Sequence, residues 1–126
     1  MLPVIALVED LLFASRIREA ARAAGVGVRT VRVADEVAAA VRDGAPLVLV
    51  DADSDRLPWQ EAIAAARRGP RAEVPVVAFL SHVHADRAQD ARSAGASRVL
   101  ARSAFVEELP RLLAAAAASS SEERTP

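Results

Sequence analysis

A chain of 126 residues is long enough for one domain with a real core. A formal charge of −1 and a pI near 6.1 exclude the broad cationic surface that nucleic-acid binding requires. The absence of cysteine excludes disulfides, thiolate zinc sites and cysteine nucleophiles, and no apolar run reaches membrane-spanning length.

In chain order, the first strand spans about residues 4–8, Val4-Ile5-Ala6-Leu7-Val8, and ends in acid at Glu9-Asp10. With no basic segment ahead of Leu2-Pro3-Val4, this start reads as a strand and not a secretion signal, so a cytoplasmic protein is expected. Phe13, Ile17, Ala20, Ala21 and Ala24 then fall at helical spacing, with Gly25 as the stop. A second strand follows over 28–33. Asp35 is placed to cap a second helix carrying Val37, Ala38 and Val41, closed by Asp43-Gly44. The third strand, 47–51, ends in Asp51. A third helix starts near Pro58-Trp59 and stops before Gly69-Pro70. The fourth strand, 76–80, ends at Ser81, and a fourth helix runs from about Ala85 to Ala94, ended by Gly95. The fifth strand, 98–101, ends at Arg102. The last helix carries Phe105, Leu109, Leu112, Leu113 and Ala116, with Pro110 either kinking it or marking its first turn near Glu107. Residues 1–118 read as one domain, and 119–126 as a polar tail expected to be disordered.

Five alternations of strand and helix, with Val/Leu-rich strand interiors, predict a doubly wound α/β domain with a parallel sheet in the order 2-1-3-4-5. In such a sheet the carboxyl ends of the strands converge. Glu9, Asp10, Asp51, Ser81 and Arg102 should therefore meet at one edge, giving an acidic pocket with one hydroxyl and one guanidinium.

The order and spacing of these residues resemble the flavodoxin-like receiver domain of response regulators. Asp51 to Ser81 is 30 residues and Ser81 to Arg102 is 21, close to the separations of phosphoacceptor Asp, switch Ser/Thr and invariant Lys in that family. The segment from Gly95 to Leu109 is similar, without gaps, to the receiver segment holding the invariant lysine. The resemblance covers about residues 3–114. It implies Mg²⁺ held weakly by Glu9, Asp10 and Asp51, phosphate acceptance at Asp51 and a switch hydroxyl at Ser81. Three departures stand out. Arg102 replaces the lysine, and a planar fork is not equivalent to a point charge at a tight phosphoryl site. Ser103 replaces the proline after it, which disfavours the cis peptide usual there. The loop Asp51-Ala52-Asp53-Ser54-Asp55-Arg56-Leu57-Pro58 carries its proline late. These changes point to an atypical, stand-alone receiver-like signalling domain, not an enzyme. It would act by protein–protein contact, with Arg102 locked onto the acids. The resemblance places a partner or homodimer contact on the fourth helix, fifth strand and fifth helix. A functional phosphoacceptor using Mg²⁺ and Asp51 is the alternative.

Other features compete for attention. His82, His84 and Asp86 form a His-x-His-x-Asp run similar to the zinc motif of metallo-β-lactamase-type hydrolases. The further histidines of that class are missing, and the plainer reading is a polar loop from which Asp86 opens the fourth helix. Asp53 and Asp55 read as solvated loop acids, and Arg67-Arg68 as a solvated helix end.

Overall fold

The computed structural model describes residues 2–81 and 85–124, with side chains through 119. It holds strands β1 (Val4–Leu7), β2 (Val28–Val31), β3 (Val48–Asp51), β4 (Val76–Leu80) and β5 (Arg98–Ala101). These alternate with helices α1 (Leu11–Ala24), α2 (Ala34–Asp43), α3 (Trp59–Ala66), α4 (Ala85–Ala94) and α5 (Arg102–Arg124). All strand pairs are parallel, and the sheet runs β2-β1-β3-β4-β5, as the sequence predicts.

The two-residue period of each strand sorts its side chains into two cores. Ile5, Leu7, Val48, Val50, Val76 and Ala78 face α2, α3 and α4. Val4, Ala6, Leu47, Leu49, Val77 and Phe79 face α1 and α5, where Phe13, Ile17, Phe105, Leu109 and Leu113 pack. The three central strands are thus covered on both faces. The edge strands are not: β2 exposes Arg29 and Thr30, and β5 exposes Arg98. Arg29 pairs with Glu36 and Arg98 with Glu108, so the open edges carry charge that discourages strand addition.

Local stops are where the sequence places them. Gly25 and Gly44 close α1 and α2 with φ of 78° and 107°, a left-handed conformation only glycine adopts cheaply. Four local expectations change. Strand β2 ends at Val31, and Val33, not Asp35, is the cap residue of α2; Asp35 lies inside the first turn, where its charge favours the helix dipole. Helix α5 begins at Arg102, directly after β5, and runs through Pro110. Packing of Phe105, Leu109 and Leu113 into the core outweighs the hydrogen bond that Pro110 cannot donate. The same helix continues to Arg124, into the segment read as a tail, because the alanine run Ala114–Ala118 has high helix propensity. Trp59 is buried in the core at the start of α3.

Candidate functional site at the carboxyl edge of the sheet

Each strand of the centre delivers its next residues to the same edge. Asp51 closes β3 and is buried, its side chain 4 % exposed. Its Oδ1 accepts from the Asp53 N–H at 3.0 Å and lies 3.4 Å from Arg102 Nη2. Arg102 reaches it because α5 starts the moment β5 ends, so the first helical side chain turns back over the sheet edge. The same Nη2 donates to Asp53 Oδ2 at 3.1 Å, and Nη1 lies 4.0 Å from Asp10 Oδ2. One guanidinium therefore serves three carboxylates.

The guanidinium also sits on aromatic rings. Its carbon lies 4.5 Å from the Phe13 centroid and 5.4 Å from that of Phe79. Those rings stack with Phe105, the Phe79–Phe105 centroids being 4.3 Å apart. A cation wedged between acids and π faces is held both by charge and by ring quadrupoles. Its Nε is buried and, among the described residues, has no hydrogen-bond partner.

The other acids are spoken for. Asp10 caps α1, its Oδ1 accepting from Leu12 N–H at 2.9 Å and Phe13 N–H at 3.2 Å. Glu9 Oε1 accepts from Ser54 Oγ at 3.1 Å, while Oε2 lies 3.6 Å from Arg56 Nε. Ser54 Oγ in turn accepts from the N–H groups of Arg56 and Leu57, which fixes the loop after β3. Ser81 is exposed, and its backbone N–H donates to Asp53 Oδ2 at 2.5 Å. Arg87 of α4 donates to the Ala52 carbonyl at 2.8 Å and pairs with Asp55.

Burial pushes the Asp51 carboxyl above the ordinary carboxylate range. The Asp53 N–H, the Arg102 charge and the Glu9 N–H pull it back, and the Asp53 charge pushes it up again.

The five expected residues thus share one edge, and Arg102 pairs with the acids as the sequence reading anticipates. The structure corrects that reading on one of the two loop acids. Asp53 is not a solvated bystander but the second anchor of Arg102, its side chain 21 % exposed. Asp55 is the solvated loop acid expected, its side chain 83 % exposed while it pairs with Arg87. Arg67, read as a solvated helix end, donates to the carbonyls of Gly95, Ala72 and Val74 and to Ser97 Oγ. Asp86 lies exposed in the first turn of α4, while His82 and His84 fall outside the described residues. The three acids of the expected Mg²⁺ set, Glu9, Asp10 and Asp51, gather at this edge, and the contacts they already make are compatible with an ion held weakly at most. One oxygen of each accepts from Ser54, the α1 amides or Arg102, and among the described residues no three acidic or histidine side chains group as a tight metal site would need.

No family model matches the sequence, and no curated protein does. Solved structures do match. A response regulator from Hahella chejuensis superposes with a TM-score of 0.76 at 18 % identity, over 92 % of this chain and 95 % of its own. The chain has the receiver fold. The phosphorylated cyanobacterial phytochrome response regulator RcpA matches with a TM-score of 0.65 at 23 % identity, over 90 % of both chains. A Burkholderia pseudomallei response regulator, solved with a phosphorylated aspartic acid, calcium and citrate, matches with a TM-score of 0.70 at 20 % identity. That match spans 98 % of this chain and 74 % of the other. Against this receiver fold, the guanidinium of Arg102 at the acid edge is the feature that calls for explanation. No helix among the described residues is long and apolar enough to cross a membrane.

Proposed function

We propose that this receiver-fold domain is a constitutive signalling module that works through protein–protein contact, with Arg102 as the built-in counter-ion of its acid edge. One observation carries the reading: a single guanidinium lies within 4.0 Å of Asp10, Asp51 and Asp53. Carboxylates meeting at one edge repel unless a cation intervenes, and an arginine is charged at every working pH. A divalent ion would have to displace Arg102 and draw Glu9 away from Ser54. Phosphoryl transfer to Asp51 would meet the same obstacle, because Asp51 Oδ1 already accepts from the Asp53 amide and pairs with Arg102. The domain is read as a non-enzyme. The face made by α4, β5 and α5, where Val99 and Leu100 of β5 are half-buried, is the proposed contact surface for a partner or a second copy.

A second reading keeps Asp51 as a phosphoacceptor. It is supported by the burial of Asp51 at the end of β3 and by fold neighbours, one solved phosphorylated and one with a phosphorylated aspartic acid. Incubation with Mg²⁺ and acetyl phosphate, followed by intact-mass measurement, separates the two. We expect no phosphoryl adduct on the unmodified chain and a measurable one on Arg102→Lys. Labelling of the unmodified chain, lost in Asp51→Asn, would overturn the constitutive reading in favour of the second.

A further inference from the structure

A cavity of about 350 Å³ opens between the start of α1 and the first turns of α5, beside the acid edge but on the other flank of Arg102. Its walls divide by chemistry. Leu12, Phe13 and Val106 make the apolar side; Arg16, Arg102 and Ser103 make the polar side. We propose that this cavity binds a small aromatic carboxylate, its charge held by Arg16 and Arg102 and its ring by Leu12, Phe13 and Val106.

Four observations favour an anion with an apolar body. Arg16 has no hydrogen bond or ion pair among the described residues, so one of the two lining cations is uncommitted. Arg102 lines the cavity with a side chain a quarter exposed, so its guanidinium charge reaches the opening and a carboxylate there can pair with it. Arg102 is also the first residue of α5, whose first turn holds no acidic residue. A cation there opposes the helix dipole, and an incoming anion relieves it. Finally, Leu12 is 84 % exposed on the rim, one helical turn before Arg16, so the two side chains share a face. A ring lying there covers an apolar surface that no described residue covers.

Asp10 is the one lining group of the wrong sign. Its carboxylate is already committed to the α1 amides and faces Arg102, which leaves two guanidinium groups against one capped carboxylate. The volume lies at the low end of small-molecule sites, roughly 300–1,000 Å³, which suits a single ring and not a nucleotide. The site stands whether or not Asp51 accepts a phosphoryl group, because Arg16 takes no part in the acid cluster.

The test is an amide chemical-shift titration of the full chain with benzoate, benzamide and inorganic phosphate in parallel. Benzoate should give saturable shifts centred on Leu12, Phe13, Ser103 and Val106, with a Kd on the order of 1 mM, the range of a fragment this small. Benzamide, isosteric but neutral, should bind about tenfold more weakly, and so should phosphate, which has no ring. Arg16→Gln, an exposed substitution, should weaken benzoate about fivefold while leaving the thermal melt of the free chain unchanged. Absence of saturation, equal binding of benzamide or phosphate, or unchanged affinity in Arg16→Gln would each overturn the proposal.

Discussion

Two arginines organise the two ends of this sheet, and they do so in opposite ways. Arg67, at the amino edge, is surrounded by neutral oxygens: the carbonyls of Ala72, Val74 and Gly95 and the hydroxyl of Ser97. Ser97 Oγ also accepts from the Val76 N–H, so one side chain ties the end of α3, the start of β4 and the turn before β5. Gly95 fits this clamp because a Cβ there would stand 2.6 Å from Arg67 Cγ. Burial pulls the Arg67 pKa down, with Glu73 pushing it back. Arg102, at the carboxyl edge, is surrounded by charge and, among the described residues, keeps one buried donor without a partner. A guanidinium with its hydrogen bonds spent on backbone carbonyls is a staple. A guanidinium held among acids, with a donor to spare, is a counter-ion that other ions can contest.

That contrast predicts unequal costs. Arg67→Ala should be the more damaging change, lowering stability by about 3 kcal/mol, since it strips several charge-assisted bonds from part-buried carbonyls. Its loss should scarcely vary with pH between mild acid and neutrality, because its partners are neutral. Urea denaturation at two pH values measures both points, and a strongly pH-dependent loss would break the distinction.

Arg102→Ala should cost less, about 1–2 kcal/mol at neutral pH, between the values of exposed and fully buried ion pairs. Here the loss should shrink on acidification. Removing the guanidinium takes away a charge that lowers the Asp51 pKa, so that carboxyl rises further above its ordinary value and the folded state binds its proton more tightly. Stability of the variant then falls as pH rises through the window between the unfolded and the raised folded values. A cost that is flat from acid to neutral pH would place Arg102 with Arg67 as a mere staple.

The smallest effect is expected at Asp51. Its folded pKa is raised mainly by burial, so the ionised carboxylate is a net liability above that pKa. Asp51→Asn should therefore leave stability at neutral pH unchanged or raise it by up to about 1 kcal/mol, while flattening its acid dependence. Thermal melts across the acid range measure this, and a loss larger than about 1 kcal/mol would show that the Arg102 pair outweighs desolvation.

How far the sequence reaches can be judged from single residues. Asp51 was legible as the end of an apolar run, because a strand ends where its buried period gives way to charge. The Arg102–Asp51 pairing was legible too, because only one cation among the strand ends meets several acids. Asp53 was not, since an acid in a loop of acids carries no periodic signal; its partners, Ser81 and Arg102, lie 28 and 49 residues away. Arg67 was illegible for the same reason, its ligands Gly95 and Ser97 being 28 and 30 residues distant. Pro110 misled the reading of α5, because local propensity yielded to the burial of Phe105, Leu109 and Leu113.

The sequence by itself determined the elements, their parallel order and the edge at which the acids gather. Those follow from hydrophobic period and from the handedness of βαβ crossovers, which are properties of short stretches of chain. Only the tertiary structure decided which acid each cation serves, that Glu9 is turned to Ser54, that Arg67 is a clamp, and that a cavity lies between α1 and α5. Charge pairs and cavities form between elements that meet only in the folded chain. Their geometry depends on side-chain distances of a few ångströms, which no local pattern encodes.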